Sequence, residues 1–254
     1  MRTETPEFEV AAALPRHVTK INRYEAVKPV VEFTLALIIL LFSAPVVFAA
    51  IVLVKLSSRG PAIYTQKRLG RGGRIFTIYK LRTMYLDSER HSGPTWAVPG
   101  DPRVTPIGRI LRWCHVDELP QAINILMGEM SLVGPRPERP EIAVNLEDEL
   151  AGHRLRLAVR PGLTGLAQVQ QPPDTSLASV RRKLNYDLLY IERMSPWLDL
   201  RLIMGTALKC LGVPFVWIGW ILQLPDPDVH HGHESVAHAP EMIAKTLVSD
   251  SYVM

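Results

Sequence analysis

An uncharged apolar segment from Phe33 to Val54 sets the first limit on how this chain folds. It reads FTLALIILLFSAPVVFAAIVLV, and as a helix it extends about 33 Å, which matches the apolar core of a bilayer. A long polar stretch precedes it, and IVLV continues to Lys55, where a cleaved signal peptide carries a polar cleavage region. The segment therefore predicts a membrane helix that stays in the protein.

Pro45 lies in the middle of this segment and predicts a kink. Proline lacks an N–H, and its ring crowds the carbonyl of Leu41, four residues earlier. Ser43 is placed to satisfy the carbonyl groups that the kink frees. Basic residues flank the segment on both sides: Lys20, Arg23 and Lys28 before it, and Lys55, Arg59, Lys67 and Arg68 after it. The positive-inside rule assigns both flanks to the cytoplasm, which requires a re-entrant helical hairpin. On the residues alone, a kinked helix that spans the bilayer is the alternative.

The chain has enough apolar residues for one folded domain. Of its 254 residues 47% are hydrophobic, which supports a single core with short appendages. The 29 basic and 25 acidic residues leave a formal charge of +4. That mild excess suits an anionic surface or ligand, and no nucleic acid partner is expected. Cys114 and Cys210 match no metal or redox spacing, so both are expected to be reduced and buried.

Turn residues and hydrophobic periodicity divide the rest of the chain into short elements. Two runs with strand character, Ala62–Arg68 and Arg74–Leu81, flank a glycine-rich turn and predict a β-hairpin. Helical segments are expected over residues 107–113, 117–127, 138–157 and 176–194. The apolar run 211–224 is too short to span a membrane and predicts an interfacial or packing helix. The expected fold class is α+β and mostly helical.

An acidic pair, Asp117-Glu118, follows a strongly basic region. Residues 55–112 hold twelve Lys or Arg against three acids, a charge suited to anionic headgroups and to phosphorylated substrates. Arg109 and Arg112 are three residues apart and share a helix face that points toward the pair. One interpretation is ordinary capping, with Asp117 as the N-cap of a helix and Glu118 in its first turn. The other is a phosphoryl-transfer site, in which one carboxylate acts beside a second that holds a cation.

Four motifs in order favour the second interpretation. They read GPAIYTQKRLGRGGRIFTIYKLRTM, DPRVTPIGRILRWCHVDELPQAINILMGEMSLVGPRP, RPGLTGLAQVQ and DLLYIERMSPWLDL. Together they resemble the bacterial sugar transferases, the monotopic phosphoglycosyl transferases that initiate capsule, exopolysaccharide and glycoprotein glycan assembly, over about residues 22–210. The most specific part of the resemblance is DELPQ followed closely by SLVGPRP.

The resemblance implies a re-entrant hairpin rather than a spanning helix, a catalytic domain on the cytoplasmic face of the bacterial inner membrane, and interfacial amphipathic helices. The expected parts are a disordered N-terminus over 1–20, a membrane-embedded re-entrant helix over 21–56, a cytoplasmic catalytic domain over 57–210, an apolar helix over 211–224 and a polar tail over 225–254. Four histidines of the tail are interpreted as solvated low-complexity sequence rather than a metal site. They are His230, His231, His233 and His238.

The resemblance also implies a covalent mechanism. Asp117 would attack the sugar-bearing phosphorus of a UDP-sugar, expel UMP and hold the sugar phosphate as an acyl phosphate, which polyprenyl (undecaprenyl) phosphate then attacks. Glu118 would hold Mg²⁺ together with diphosphate oxygens and water. Arg136 would contact the nucleotide from a stiff proline-rich loop. The candidates for substrate or phosphate binding are Lys80, Arg82, Arg109, Arg112, Pro135, Arg136, Pro137 and Arg160. Membrane lipids and a second copy of the chain are further expected partners.

Some positions depart from the family's pattern. His115 stands where the family usually has Ser or Thr, and Thr83 stands where it commonly has Ser. Both residues are compatible with the motif. Leu166 replaces a common Trp, and Gln170-Gln171 replaces a common Asn-Gly. These two departures affect local contacts with the acceptor or the sugar rather than the nucleophile.

Two other functions compete with this interpretation. Asp226-Pro227-Asp228 has the letters of the DxD metal motif of nucleotide-sugar glycosyltransferases, but it lies in the expected tail. A non-catalytic membrane scaffold of a glycan-assembly complex is the alternative from a different class. The presence of Asp117, Glu118 and Arg112 together with GPRP argues against a scaffold.

Overall fold

The computed structural model describes residues 23–86, 88, 100–174 and 176–227. It is mostly helical, with one long N-terminal helix and two small β-sheets, in agreement with the expected class. The α-helices are α1 Arg23–Ser57, α2 Pro106–Trp113, α3 Ala122–Leu126, α4 Pro140–Glu149, α5 Leu166–Gln170, α6 Leu177–Arg193, α7 Pro196–Cys210 and α8 Phe215–Ile221. The strands are β1 Ile63–Leu69, β2 Ile75–Leu81, β3 Ser131–Val133 and β4 Gly162–Thr164. Short 3₁₀ helices cover Arg71–Gly73, Val116–Gln121 and His153–Ala158.

α1 is one uninterrupted helix that passes through Pro29 and Pro45. It is long and apolar enough to cross a membrane, and only 11% of its most apolar 18-residue stretch is buried inside the protein. A core helix of a soluble protein hides most of such a stretch, so the exposed apolar surface of α1 indicates association with a membrane. Because α1 continues through Pro45, the structure does not confirm the predicted turn of a re-entrant hairpin at this residue. Ser43 Oγ reaches the carbonyl oxygen of Leu40 at 3.5 Å, which is a long contact.

Both ends of α1 pack on the same globular domain. Toward the N-terminal end, Ala36 is completely buried in the main hydrophobic core, which also contains Tyr190 of α6. Toward the C-terminal end, Ala50 and Val54 are buried in a second cluster with Leu111 of α2. The apolar segment is therefore packed on one domain near both of its ends.

A buried charge network joins the start of α1 to α6, α7 and β3. Lys28 Nζ donates to Asp199 Oδ2 at 2.5 Å and to Tyr190 Oη at 2.7 Å. Glu32, one turn later, accepts a hydrogen bond from the Ser131 hydroxyl at 2.6 Å. The sequence analysis counted Lys28 among the basic residues that flank the apolar segment on its cytoplasmic side, and the structure buries it as an ion-paired core residue.

β1 and β2 form the antiparallel hairpin that the sequence predicts, with Ile63 opposite Leu81 and Leu69 opposite Ile75. Gly72 in the turn has φ +65°, a left-handed conformation that favours glycine. The hairpin prediction is therefore confirmed, and the glycines of GRGG serve the turn.

Asn124 of α3 fixes β2, the second strand of this hairpin. Its Oδ1 accepts from the backbone N–H of Tyr79 at 3.2 Å, and its Nδ2 donates to the carbonyl of Thr77 at 2.7 Å. Asn124 is fully buried, so these bonds replace water that is excluded from the site. Since Lys80 follows Tyr79 in β2, the contact holds Lys80 beside the Val116–Gln121 helix.

β3 and β4 form a parallel pair that the sequence did not predict. The pairing brings Gly134, directly after β3, against Gly162 at the start of β4. A Cβ on Gly162 would lie 2.1 Å from the backbone nitrogen of Gly134, and a Cβ on Gly134 would lie 2.5 Å from the carbonyl oxygen of Arg160. Neither position accommodates a side chain without displacing the backbone. The sheet therefore fixes the GPRP loop, residues 134–137, against the Pro161-Gly162 turn.

The helix predictions are confirmed for α2 and α6. Thr105 caps α2 by accepting from the N–H of Gly108 at 2.9 Å, and Ser176 caps α6. Residues 117–127 form a 3₁₀ helix followed by the short α3 instead of one helix. Pro120 lies inside the 3₁₀ helix and lacks the N–H that a regular α-helix needs there. Residues 138–157 are likewise interrupted, since Gly152 has φ +80° between α4 and the next 3₁₀ helix.

The prediction that both cysteines are buried is wrong. Both are free, with Cys114 exposed directly after α2 and Cys210 half-buried as the last residue of α7. At these helix ends the core does not cover them completely. α8 lies within the expected apolar helix 211–224. The expected disordered terminus 1–20 and the four tail histidines lie outside the described residues.

Candidate active site

The acidic pair lies on the Val116–Gln121 3₁₀ helix, directly after α2. His115 precedes it with φ +55°, a left-handed conformation that turns the chain between the two helices. Asp117 is therefore inside the 3₁₀ helix, and the prediction that it is an N-cap is wrong. A six-residue 3₁₀ helix has too few aligned peptide units to bind phosphate by its dipole. The chemistry of the pair therefore depends on the side chains around it.

Glu118 is held between two cations. Lys80 Nζ donates to Glu118 Oε1 at 2.8 Å, and Arg136 Nη2 donates to the same oxygen at 2.6 Å. Arg136 Nη1 lies 3.5 Å from Oε2, so that second oxygen is only loosely engaged. Burial disfavours ionisation of Glu118, but the charges of Arg136 and Lys80 outweigh it and hold the pKa of Glu118 well below its usual range. The motifs YKLRT, DELPQ and GPRP thus meet at one carboxylate.

Asp117 is the uncommitted member of the pair. It is 8% exposed, and its carboxylate makes no hydrogen bond or ion pair with any residue that the structure describes. Burial, and then the negative charge of Glu118, raise the pKa of Asp117 to about 6, although nearby cations oppose the shift. Near neutral pH the group is mostly ionised, and no described residue donates a hydrogen bond to its oxygens. Such a carboxylate is suited to nucleophilic attack.

Arg112 and Arg82 occupy different positions around the pair. Arg112, in the last turn of α2, donates through Nε to Thr83 Oγ1 at 2.8 Å, so the departure from the family's Ser keeps the hydroxyl that is used here. Arg82 Nη2 donates to the carbonyl and the hydroxyl of Ser58, at 2.8 and 3.0 Å, just after α1. Arg82 Nε and Nη1 are buried without a hydrogen-bond partner among the described residues. Arg82 therefore holds the end of the membrane helix.

Arg109 and Arg160 make no contact with the carboxylates. Arg109 is exposed on the outer face of α2. The backbone of Arg160 packs against Gly134, and its half-buried side chain makes no hydrogen bond or ion pair within the described part of the chain. The direct contacts of the site therefore join Lys80, Glu118 and Arg136.

The two prolines of the GPRP loop act through their carbonyl groups. The N–H of Gly162 donates to the carbonyl of Pro135 at 2.9 Å, and Arg68 Nη1 donates to the carbonyl of Pro137 at 3.0 Å. These bonds join the loop to β4 and to β1. The prediction of a stiff loop at this place is consistent with them.

Buried charges behind the loop complete its support, and the sequence did not point to them. Arg156 donates to the carbonyl of Arg136 at 2.9 Å and to Asp187 Oδ2 at 2.6 Å. Arg156 and Lys183 also bind Glu138, at 3.1 and 2.5 Å. The backbone of Arg136 is thereby fixed while its side chain reaches forward to Glu118. The signal in the sequence that could have pointed to these residues is that they are charged and stand within apolar runs. Charged residues on solvated helix faces give the same pattern, so the signal does not identify buried ion pairs.

The residues available to Mg²⁺ are limited to the acidic pair. Within the described ranges no group of three or more His, Cys, Asp or Glu side chains is arranged to hold an ion. The available oxygens are Glu118 Oε2 and the unpartnered carboxylate of Asp117. Mg²⁺ in enzymes commonly takes one or two carboxylates and completes its shell with substrate phosphate oxygens and water. The pair fits Mg²⁺ on the condition that a diphosphate supplies further ligands.

Asp226, the first residue of the DxD letters, lies away from this site. Asp226 lines a cleft with Ser195 and Arg201 near the start of α7, whereas the other end of α7 contacts His115, beside the pair. α7 has 15 residues, so about 22 Å separates its ends. Asp228 lies outside the described residues.

Comparison with known proteins gives a coherent set of relatives. The family model described as bacterial sugar transferase matches residues 23–212. A UDP-N-acetylgalactosamine-undecaprenyl-phosphate N-acetylgalactosaminephosphotransferase from Aeromonas hydrophila is 39% identical over 200 residues, which are 79% of this chain and 46% of that relative. A UDP-glucose:undecaprenyl-phosphate glucose-1-phosphate transferase from Caulobacter vibrioides is 40% identical over 184 residues, 71% of this chain and 68% of that relative. The exopolysaccharide production protein PSS from Rhizobium leguminosarum is 39% identical over 175 residues, 67% of this chain and 88% of that relative. The chain thus spans less than half the length of the Aeromonas relative.

Proposed function

Because the chain belongs to the bacterial sugar transferase family, we propose that it transfers a sugar 1-phosphate from a UDP-sugar to undecaprenyl phosphate and releases UMP. The observation that carries the proposal is the buried, unpartnered carboxylate of Asp117 beside a Glu118 that two cations hold. The names of the relatives, which specify undecaprenyl phosphate and UDP-sugars, support the choice of substrates.

The reaction proceeds in two displacements at one phosphorus. An oxygen of Asp117 attacks the phosphorus that bears the sugar, and the bond from that phosphorus to the bridging diphosphate oxygen breaks. UMP leaves with the bridging oxygen, and the sugar phosphate stays on Asp117 as an acyl phosphate. An oxygen of undecaprenyl phosphate then attacks the same phosphorus, the acyl phosphate bond breaks, and Asp117 regains its carboxylate.

The surrounding cations make this attack of an anion on an anion feasible. Lys80 and Arg136 neutralise Glu118, so Asp117 does not face an uncompensated neighbour. The guanidinium of Arg112 has no carboxylate partner among the described residues and is available to the charge that develops on the transferred phosphoryl group. Mg²⁺, when held by Glu118 and the diphosphate, supplies further neutralisation of the donor phosphates.

The protein is proposed to lie on the cytoplasmic face of the bacterial inner membrane, with α1 entering and leaving the bilayer on that face. Support comes from the packing of both ends of α1 on one domain. The exposed Trp217 and Trp220 of α8 are suited to the interface between water and lipid. A homodimer stays a prediction, which the molar mass of the detergent-solubilised protein would check.

Release of UMP tests the proposed function directly. Purified protein in lipid nanodiscs is given Mg²⁺, undecaprenyl phosphate and a panel of UDP-sugars, and UMP is quantified. Release with at least one UDP-sugar, together with formation of a lipid-linked sugar diphosphate, is the expected result. No release from folded protein across the panel would move the assignment to a non-catalytic scaffold.

The raised pKa of Asp117 predicts an acid limit to the first displacement. Because only the ionised carboxylate attacks, the single-turnover rate of UMP release without lipid acceptor should fall about tenfold per pH unit below about 6. Leaving the acceptor out removes the titration of the lipid phosphate from the profile. Circular dichroism at each pH checks that the protein stays folded. A rate that is constant down to pH 5 would contradict the raised pKa.

A further inference from the structure

The C-terminal end of α7 lies beside the acidic pair, although the sequence gave no reason to place it there. Cys210 Sγ lies 3.7 Å from His115 Nδ1, and His115 is two residues before Asp117. One turn earlier on α7, the hydroxyl of Thr206 is hydrogen-bonded to the hydroxyl of Thr164 at 2.6 Å. These contacts fix the last turn of α7 next to the 3₁₀ helix that carries the pair.

The same turn also lies close to the GPRP loop. The carbonyl of Thr164 accepts the N–H of Gly134 at 2.8 Å, and Gly134 is two residues before Arg136. α7 therefore contacts β4, the strand that supports the loop, and His115, which precedes the acidic pair. Lys209 stands between Thr206 and Cys210 in sequence and belongs to this turn.

Lys209 is a cation without a counter-charge. Its Nζ donates to the backbone carbonyl of Gln168 at 2.8 Å and lies 5.4 Å from the centre of the Phe215 ring. Within the described residues no carboxylate is within ion-pair distance of it. Lys80 and Arg136, in contrast, share Glu118. A half-buried ammonium group is normally paired with an anion, because removing its charge from water without such a partner costs free energy.

We propose that Lys209 is a further substrate-binding residue, whose ammonium group takes a phosphate oxygen of the UDP-sugar diphosphate or of the lipid phosphate. The inference rests on the proposed function and adds a residue to its site. The ammonium has three donor positions, and the carbonyl of Gln168 uses one of them. The other two are available to a phosphate oxygen.

The electrostatic environment of Lys209 agrees with this role. Burial, and then the charge of Arg136, lower the pKa of Lys209, while Glu118 acts in the opposite direction. Arg136 is already paired with Glu118, whereas Lys209 has no carboxylate partner among the described residues. A phosphate oxygen at Lys209 would supply that missing negative charge.

Four variants separate a phosphate contact from a structural contact. Lys209→Met removes the charge and the donor, Lys209→Gln keeps a donor to the Gln168 carbonyl without the charge, and Lys209→Arg keeps the charge. Lys67→Met, at an exposed position of β1, is the matched control. KM and kcat are measured separately for the UDP-sugar and for undecaprenyl phosphate, with the inhibition constant of UDP and the melting temperature.

The expected result is a KM for one substrate about 10- to 100-fold higher in Lys209→Met and Lys209→Gln, as loss of a charge-assisted phosphate contact predicts. Lys209→Arg should stay within a few fold of the wild type, and Lys67→Met should not change. A parallel rise in the UDP inhibition constant assigns the contact to the donor. A rise confined to the KM of undecaprenyl phosphate assigns it to the acceptor.

Lys209→Gln with both KM values within twofold of the wild type would overturn the inference, as would a fall in kcat alone. If Lys209→Met is destabilised, the comparison of Lys209→Gln with Lys209→Arg still tests the inference, because both side chains can donate hydrogen bonds and only Arg carries the charge. Inactivity of the wild type on every UDP-sugar would instead count against the proposed function. Direct binding of UDP to the wild type and to Lys209→Gln, measured by calorimetry, would then still test a contact of Lys209 with the donor phosphates.

Discussion

Asp117→Asn is expected to reduce UMP release by at least about 10³-fold, because an amide of the same shape has no anionic oxygen to attack phosphorus. The rate is measured with the UDP-sugar that the wild type uses best, and trapping of radiolabelled sugar phosphate on the protein is measured in parallel. Both signals should disappear together. Asp148→Asn, at an exposed position of α4, is the matched control and should keep full activity. Asp117→Asn protein that still forms the covalent adduct would assign the nucleophile elsewhere.

The same substitution should make the protein more stable near neutral pH. An ordinary aspartate has a pKa near 3.8, and burial raises the pKa of Asp117 to about 6 in the folded protein. A raised pKa means that the folded state favours the protonated form, so this contribution to stability is complete below about pH 4 and is lost as the pH rises through 6. Two pKa units correspond to about 3 kcal/mol.

Asparagine is neutral at every pH, so Asp117→Asn should melt above the wild type at pH 7.5 and together with it at pH 4. The difference in melting temperature should develop between these two values and stay constant above about pH 7. An equal or lower melting temperature of the variant at pH 7.5 would contradict the burial of an ionised Asp117. A scaffold protein would gain nothing from keeping such a destabilising carboxylate.

Lys28→Met is expected to lower the free energy of unfolding by about 3–5 kcal/mol, because it leaves Asp199 and Glu32 buried without their cation. Tyr190 still donates to Asp199 at 2.8 Å, which limits the loss. Lys55→Met, at an exposed position at the other end of α1, is the matched control. Denaturation in detergent is the measurement. Adding Asp199→Asn to Lys28→Met should recover part of the loss, since it removes one of the two unpaired charges. Equal stabilities of Lys28→Met and Lys55→Met would contradict the network.

Lys28 also donates to the carbonyl of Val133 at 2.8 Å, and Val133 ends the strand that leads into the GPRP loop. The first turns of α1 therefore support the backbone from which Arg136 reaches Glu118. The membrane helix and the catalytic domain therefore form one structural unit at this point, and α1 does more than attach the domain to the membrane.

The sequence predicted the elements whose signals are local. The β1–β2 hairpin has glycines between two runs of strand character, and α2 and α6 begin at a Thr and a Ser that cap them. The hairpin and the two caps depend on residues that are close together in the chain. The role of Asp117-Glu118 as the reactive centre, which the family resemblance implies, stays a prediction.

The features that the sequence did not predict depend on packing between distant residues. β3 and β4 have three residues each, which is too short for an alternating pattern. Lys28 and Lys209 look like any surface lysine in the sequence, because burial of a charged residue is decided by which partners the fold brings to it.

The pairing of Lys28 with Asp199 can form only after α7 has been synthesised, so the start of α1 packs late in the folding of a newly made chain. The two residues are 171 positions apart, so at a synthesis rate of about 5–20 residues per second the ribosome needs about 10–30 s to deliver the second partner after the first. During that interval the apolar segment of α1 has left the ribosomal exit tunnel, while α7, which packs against the start of α1, has not yet been synthesised. We expect lipid or a chaperone to cover the apolar segment first, and the packing of Lys28 against Asp199 to follow once α7 has been synthesised.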